Sequence, residues 1–120
     1  MHGVPATLDL SGFLGAQLQR IDLGKWIIHF HFDMNPAGVI GVEGEWELTS
    51  SEGTVLDRQQ EPDERDAYRL HHLLLREVVG VSVNAPDSFT LTFDNGLALT
   101  IFDLSKEYES FSIQPGDIYA

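Results

Sequence analysis

Large apolar residues occupy every second position of two consecutive segments, and this alternation restricts the fold more than any other feature of the chain. The segments span residues 26–33 and 39–48, and Met34-Asn35-Pro36-Ala37-Gly38 separates them. A period of two is typical of strands that bury one face. The residues expected on the buried face are Trp26, Ile28, Phe30, Phe32, Val42, Trp46 and Leu48. The two segments therefore predict a hairpin at the centre of a sheet.

The pleat restricts the register of this hairpin, because residues that face each other across two strands lie on the same side of the sheet. His29 and His31 must face odd-numbered residues if Phe30 is to remain in the core. One register that satisfies this condition places His31 near Glu43 and His29 near Glu45.

Other segments with alternating patterns predict further strands, at residues 16–23, 54–56, 81–84, 88–93, 97–102 and 108–113. The loop Asp94-Asn95-Gly96 sets Phe93 opposite Leu97, which keeps the apolar sets of its two strands on one face. We expect Gly96 to adopt the left-handed conformation in this loop.

Residues 64–78 have the spacing of an amphipathic helix. Asp63 is a suitable N-cap and Gly80 follows the end of the segment. One apolar stripe consists of Ala67, Leu70, Leu74 and Val78, and the opposite side carries Arg65, Arg69, His72 and Arg76.

The order of these elements predicts an α+β fold that is mainly antiparallel sheet. Two similar β-meander halves, about 14–57 and 79–119, flank the helix at about 64–78. Trp46-Glu47-Leu48 in the first half matches Phe111-Ser112-Ile113 in the second half. The chain of 120 residues is predicted to form a single domain, residues 1–120, with an internal duplication.

The charge and composition exclude several classes of function. The net charge of −12 is spread over both halves, which argues against nucleic-acid binding because phosphate recognition needs a basic surface. No apolar run reaches the ~20 residues of a membrane span, and the N-terminus lacks the pattern of a signal peptide. With no cysteine there is no disulfide framework. These features predict a cytoplasmic protein.

The segment His29-Phe30-His31-Phe32-Asp33 is one candidate site. A spacing of two places both imidazoles and the Asp33 carboxylate on one face of a strand, with steps of about 6.5–7 Å. His29, His31 and Asp33 could therefore bind zinc or another divalent metal. The alternative is a solvated sheet face without a cofactor.

The segment from Glu43 to Glu47 is the other candidate site. Glu43, Glu45 and Glu47 place a carboxylate at every outward position, and Asp33 lies on the same side of the predicted hairpin. Such a surface could meet a basic protein partner, with exposed Tyr or Trp residues as anchors.

Three segments of the chain resemble small uncharacterised bacterial single-domain proteins. The segments are Leu8-Asp9-Leu10-Ser11-Gly12-Phe13-Leu14-Gly15, Phe93-Asp94-Asn95-Gly96-Leu97 and Tyr108-Glu109-Ser110-Phe111. Acidic domains of this kind are similar in type to immunity proteins, which neutralise toxins in bacterial competition. The resemblance implies a protein-binding function and brings no catalytic residues.

These observations favour a non-enzymatic acidic module that binds a basic protein partner. The alternative is a metal- or small-ligand-binding domain that uses the histidine–carboxylate cluster and could be an enzyme. A homodimer is also predicted, because an open sheet has unpaired edges.

Overall fold

The described residues form two five-stranded antiparallel sheets. The computed structural model describes residues 3–65, 67–103, 110–116 and 118–119. The first sheet has the order β1-β2-β3-β9-β10, with strands Gln17–Leu23, Ile28–Asp33, Gly38–Val42, Phe111–Gln114 and Ile118–Tyr119. The second sheet has the order β5-β4-β8-β7-β6, with strands Val55–Arg58, Trp46–Thr49, Ala98–Phe102, Ser88–Phe93 and Val78–Asn84.

A single hydrophobic core lies between the inner faces of the two sheets. Alternate residues of each central strand enter it, as the period of two predicts. Phe30, Leu48, Phe89 and Leu99 are fully buried. Phe89 of the second sheet and Phe111 of the first meet edge to face, with ring centroids 4.9 Å apart.

The predicted α+β class is wrong, because the described residues contain no α-helix. In the segment predicted as a helix, about 64–78, Leu70–Leu73 forms a short 3-10 turn and Val78 begins β6. Another 3-10 turn, Pro62–Glu64, overlaps only the start of the segment. Within the described residues, no helix is long and apolar enough to cross a membrane. Of the predicted apolar stripe, Leu70 and Val78 are buried and Leu74 is exposed. Tyr108 and Glu109, which begin the last predicted strand, lie outside the described residues.

Tertiary hydrogen bonds explain why the helical pattern fails. The N–H of Arg69 donates to Asp57 Oδ2 at 2.8 Å, and the N–H of Leu75 donates to the carbonyl of Leu18 at 2.7 Å. The carbonyl of Arg76 accepts from the N–H of Leu18 at 3.1 Å. The N–H groups of Arg69 and Leu75, which a helix would pair internally, are thus bound to other strands. A single 3-10 turn, Leu70–Leu73, carries the buried Leu70.

The register of the first hairpin also differs from the predicted one. His29 faces Gly41, and His31 faces Val39, so neither histidine faces a glutamate. Both histidines do face odd-numbered residues, as the pleat requires, but the loop between β2 and β3 is shorter than the predicted register implies. In the second hairpin, Phe93 faces Leu97 across a three-residue loop, and Gly96 has a φ of 84°, which confirms that prediction.

Segments 60 residues apart form equivalent structures where β1 and β6 meet. The N–H of Gly15 donates to the carbonyl of Val78 at 2.8 Å, and the equivalent bond joins Leu75 to Leu18 at 2.7 Å. Gln17 and Glu77 form a bridge between these two bonds. The segments are therefore related by a local pseudo-two-fold axis between Gln17 and Glu77.

The same relation extends to the strands, with an exchange. Strand β4 of the first half pairs with β8 of the second, and β9 of the second half pairs with β3 of the first. Each sheet therefore contains three strands from one half and two from the other. An internal duplication with halves at about 14–57 and 79–119 stays a prediction. In the structure, strands of the two halves pair with each other in both sheets.

The pseudo-symmetry predicts the effect of replacing Leu75 with glycine. Leu75 is the only described non-glycine residue with a positive φ, which is 63°. Its equivalent is Gly15, with a φ of 84°. Leucine in this region costs about 1–2 kcal/mol, while glycine loses about 0.5–1 kcal/mol through chain entropy. We expect Leu75→Gly to stabilise the protein by about 0.5 kcal/mol in urea denaturation, since the side chain is largely exposed.

The matched control for this substitution is Gly15→Ala. A Cβ at Gly15 would meet no atom within 4 Å, so any loss of stability there comes from the backbone conformation alone. We expect Gly15→Ala to destabilise the protein by about 1 kcal/mol. A stable Gly15→Ala variant together with a destabilised Leu75→Gly variant would contradict the conformational explanation.

Candidate functional site

An open hollow beside the edge strand β5 gathers carboxylates from two parts of the chain. Its volume is about 450 Å³. The acidic residues that line it are Glu45, Glu47, Glu61 and Glu64, and the other lining residues include Arg58, Trp46 and Phe102. No described cation lies within 4.0 Å of these four carboxylates. We refer to this feature as the acidic hollow.

A buried ion pair fixes the wall of the acidic hollow. Arg65 donates to Asp57 Oδ1 at 3.0 Å and to the carbonyl of Ala67 at 2.7 Å, and it also contacts the carbonyl of Arg58. Only 6% of the Arg65 side chain and 4% of the Asp57 side chain are exposed, so the pair is desolvated. This pair ties the segment that carries Glu61 and Glu64 to β5.

An aromatic cleft adjoins the acidic hollow, on the other side of Gln59 and Gln60. The two depressions share Trp46, Gln59 and Gln60 as lining residues. The cleft has a volume of about 50 Å³, and its further lining residues include Lys25, Trp26, Glu43, Arg65 and Tyr68. Tyr68 stacks on Trp46, with ring centroids 6.4 Å apart and an interplanar angle of 20°.

Trp26 stands at the rim of the aromatic cleft and is 67% exposed, although the alternation predicts it in the core. The turn between β1 and β2 causes this difference. The N–H of Gly24 donates to the carbonyl of Ile27 at 2.8 Å, and a Cβ at Gly24 would come within 2.9 Å of that oxygen. Trp26 therefore lies in a tight turn before β2, and Gly24-Lys25 is the sequence signal that could have identified it.

The histidines lie on the outer face of the first sheet, away from the predicted glutamates. His31 Nε2 is 2.9 Å from Asp22 Oδ2, and Arg20 Nε donates to Asp22 Oδ1 at 2.9 Å. The hydrogen bond from Arg20 holds the pKa of the Asp22 carboxyl below its ordinary value of 3.8. Asp22 therefore remains ionised at neutral pH and orients both neighbouring side chains.

The metal ligands predicted at His29, His31 and Asp33 are not gathered around one point. His29 and His31 have ring centroids 6.3 Å apart, and His31 contacts Asp22. Among the described residues, no group of three His, Cys, Asp or Glu side chains is arranged to hold a metal ion. Divalent-metal binding at these residues stays a prediction.

The four residues predicted to bind a partner occupy three places. Glu45 and Glu47 line the acidic hollow, and Glu43 lines the aromatic cleft next to it. Asp33 faces Gln17 at the far end of β2, roughly 17 Å along the strand from Ile28, which lines the cleft. Sequence reasoning missed Glu61 and Glu64, because only the folding of the segment after β5 brings them beside β4.

A patch of exposed apolar residues surrounds the contact between β1 and β6. Leu14, Leu74, Leu75 and Val79 are all at least 38% exposed. The first two occupy equivalent positions about the pseudo-two-fold axis. The predicted homodimer stays a prediction, and this patch is where mutations would test it.

Comparisons of the chain with known protein families, curated proteins and solved structures found no match.

Proposed function

We propose that this protein is a non-enzymatic binding module whose acidic hollow receives a basic segment of a protein partner. One observation carries the proposal: four carboxylates from β4 and the segment after β5 converge on one hollow, with Arg58 as its only lining cation among the described residues. Four like charges gathered around a single described cation are destabilising, and a basic partner would relieve their repulsion.

The form of the hollow supports a protein partner in preference to a free cation. It is an open depression beside the edge strand β5, and its four carboxylates come from two segments of the chain. The outward N–H of Arg58 already donates to Asp57, and its carbonyl already accepts from Arg65. An extended basic segment lying along the hollow would therefore be bound through its side chains, which could reach several of these acids. Because the chain is similar in type to immunity proteins, we favour a cytoplasmic role in which the partner is the basic surface of a toxin.

The test is titration calorimetry with a blocked hexalysine peptide at about 0.15 M salt. The hollow variant combines Glu45→Gln, Glu61→Gln and Glu64→Gln, and all three positions are exposed. Exposed ion pairs contribute about 0.5 kcal/mol each, so we expect the three substitutions to weaken binding by roughly tenfold.

A second triple variant serves as the matched control. Glu52→Gln, Glu77→Gln and Asp87→Asn remove the same charge from exposed positions outside the hollow. We expect this control to bind hexalysine with an affinity within about twofold of the unmodified protein. Equal losses in the two variants would show that only net charge attracts the peptide, and the proposed function would then be wrong.

A further inference from the structure

Trp26 has more exposed surface than its structural role requires. Its side chain lies at the tip of the turn between β1 and β2, and the Gly24–Ile27 hydrogen bond holds that turn. A small or polar residue would serve at this position, whereas an exposed indole loses hydrophobic stabilisation. Exposed tryptophans with a fixed backbone are frequent energetic centres of protein interfaces.

The aromatic rings of this cleft already face cations. Arg65 Cζ lies 3.9 Å from the ring centroid of Tyr68 and 5.4 Å from that of Trp46. Lys25 Nζ lies 5.6 Å from the Trp26 ring and 3.7 Å from Asp63 Oδ1. Arg65 is buried and committed to Asp57, while Lys25 is exposed, and an arginine of a ligand could replace it over the Trp26 ring.

Glu43 supplies a carboxylate in the same cleft. It is exposed, and no described cation pairs with it. A planar guanidinium could stack on an indole face while its N–H groups bind a carboxylate, which the ammonium group of lysine does less well. The acidic hollow continues from this cleft past Gln59 and Gln60, so the rest of a basic segment would lie over further carboxylates.

We propose that the partner segment places an arginine in the aromatic cleft, with its guanidinium stacked on Trp26 and paired with Glu43. This inference rests on the proposed function and adds the identity of the recognised side chain. In it, the arginine replaces Lys25 over the indole, and Lys25 keeps its contact with Asp63.

The experiment compares blocked hexaarginine and hexalysine peptides of equal charge by calorimetry at about 0.15 M salt. Cation–π and bidentate contacts with arginine predict that the unmodified protein binds hexaarginine about three- to thirtyfold more tightly than hexalysine. Trp26→Ala should bring the two affinities within about twofold of each other, and Trp26→Tyr should restore most of the difference. Val79→Ala, at an exposed apolar residue of β6, is the control and should leave the ratio unchanged.

The possible failures can be told apart. If the hollow variant weakens both peptides but the unmodified protein binds them equally, the arginine inference is wrong and the proposed function stands. The inference is also wrong if Trp26→Ala leaves the ratio of affinities unchanged. If neither peptide binds to the unmodified protein, both the proposed function and the inference are wrong.

Discussion

Replacing Asp57 with alanine should destabilise the protein by about 3–5 kcal/mol, because it leaves the Arg65 guanidinium buried without its counterion. Both side chains are at most 6% exposed, so water cannot take the place of the carboxylate. Asp57 also accepts the N–H groups of Arg58 and Arg69, both at 2.8 Å. One substitution therefore removes an ion pair and two backbone hydrogen bonds.

The measurement is urea denaturation followed by circular dichroism, with Asp22→Ala as the matched control. Asp22 also pairs with an arginine, but 47% of its side chain is exposed and 64% of the Arg20 side chain. Exposed pairs contribute about 0–1 kcal/mol, so we expect a much smaller loss in the control. Similar losses in the two variants would show that burial does not determine the importance of the Asp57–Arg65 pair.

The alternation of apolar residues was sufficient to predict most strands. It was wrong to treat residues 39–48 as one strand, because the structure divides them into Gly38–Val42 of one sheet and Trp46–Thr49 of the other. Ser88–Phe93 begins and ends at the predicted residues, and the loop before Leu97 has the predicted length. Both predictions depend on contacts between residues close in sequence. The pleat allows only two faces, so one correctly placed aromatic residue determines the orientation of its whole strand.

The helix prediction was wrong because of contacts between residues that are distant in the sequence. The stripe through Leu70 and Leu74 has helical spacing, but the carboxylate of Asp57 and the carbonyl of Leu18 bind the backbone N–H groups of this segment. Neither partner can be identified from local spacing. Helical propensity is a weak preference that a few tertiary hydrogen bonds outweigh.

The candidate site was predictable only in part for the same reason. Glu45 and Glu47 follow from the pattern of a single strand, whereas Glu61 and Glu64 reach the hollow only through the fold of the segment after β5. Trp26 shows an error of another kind. The alternation predicted that the strand begins at Trp26, whereas β2 begins two residues later, at Ile28.

The two halves carry different residues on the outward faces of their equivalent strands β2 and β7. His29 and His31 on β2 occupy the positions that Thr90 and Thr92 occupy on β7, as judged from the residues that they face. The inward residues of both strands are large and apolar. Core packing therefore restricts the inward positions of both halves in the same way, while the outward positions can acquire different chemistry.

The exchange of β4 and β9 predicts that the halves cannot unfold separately, and Phe111→Ala tests this. Phe111 lies on β9, pairs with Val42 of β3, and meets Phe89 of the second sheet. Its removal leaves a cavity between the sheets, so we expect a loss of about 3–5 kcal/mol in urea denaturation. Because each sheet contains strands from both halves, the variant should still unfold in one transition, with an unchanged dependence on urea concentration.

Phe102→Ala is the control for the loss of a phenylalanine side chain. Phe102 is only partly buried on β8 and lies outside the hydrophobic core cluster, so its removal should cost clearly less than that of Phe111. Two separate transitions in the Phe111→Ala variant would contradict the coupling, because one half would then keep its structure without the other. A single transition would mean that the acidic hollow unfolds together with the core, since β4 and β5 contribute residues to its lining. Loosening the contact between the sheets would then also lower the stability of the hollow.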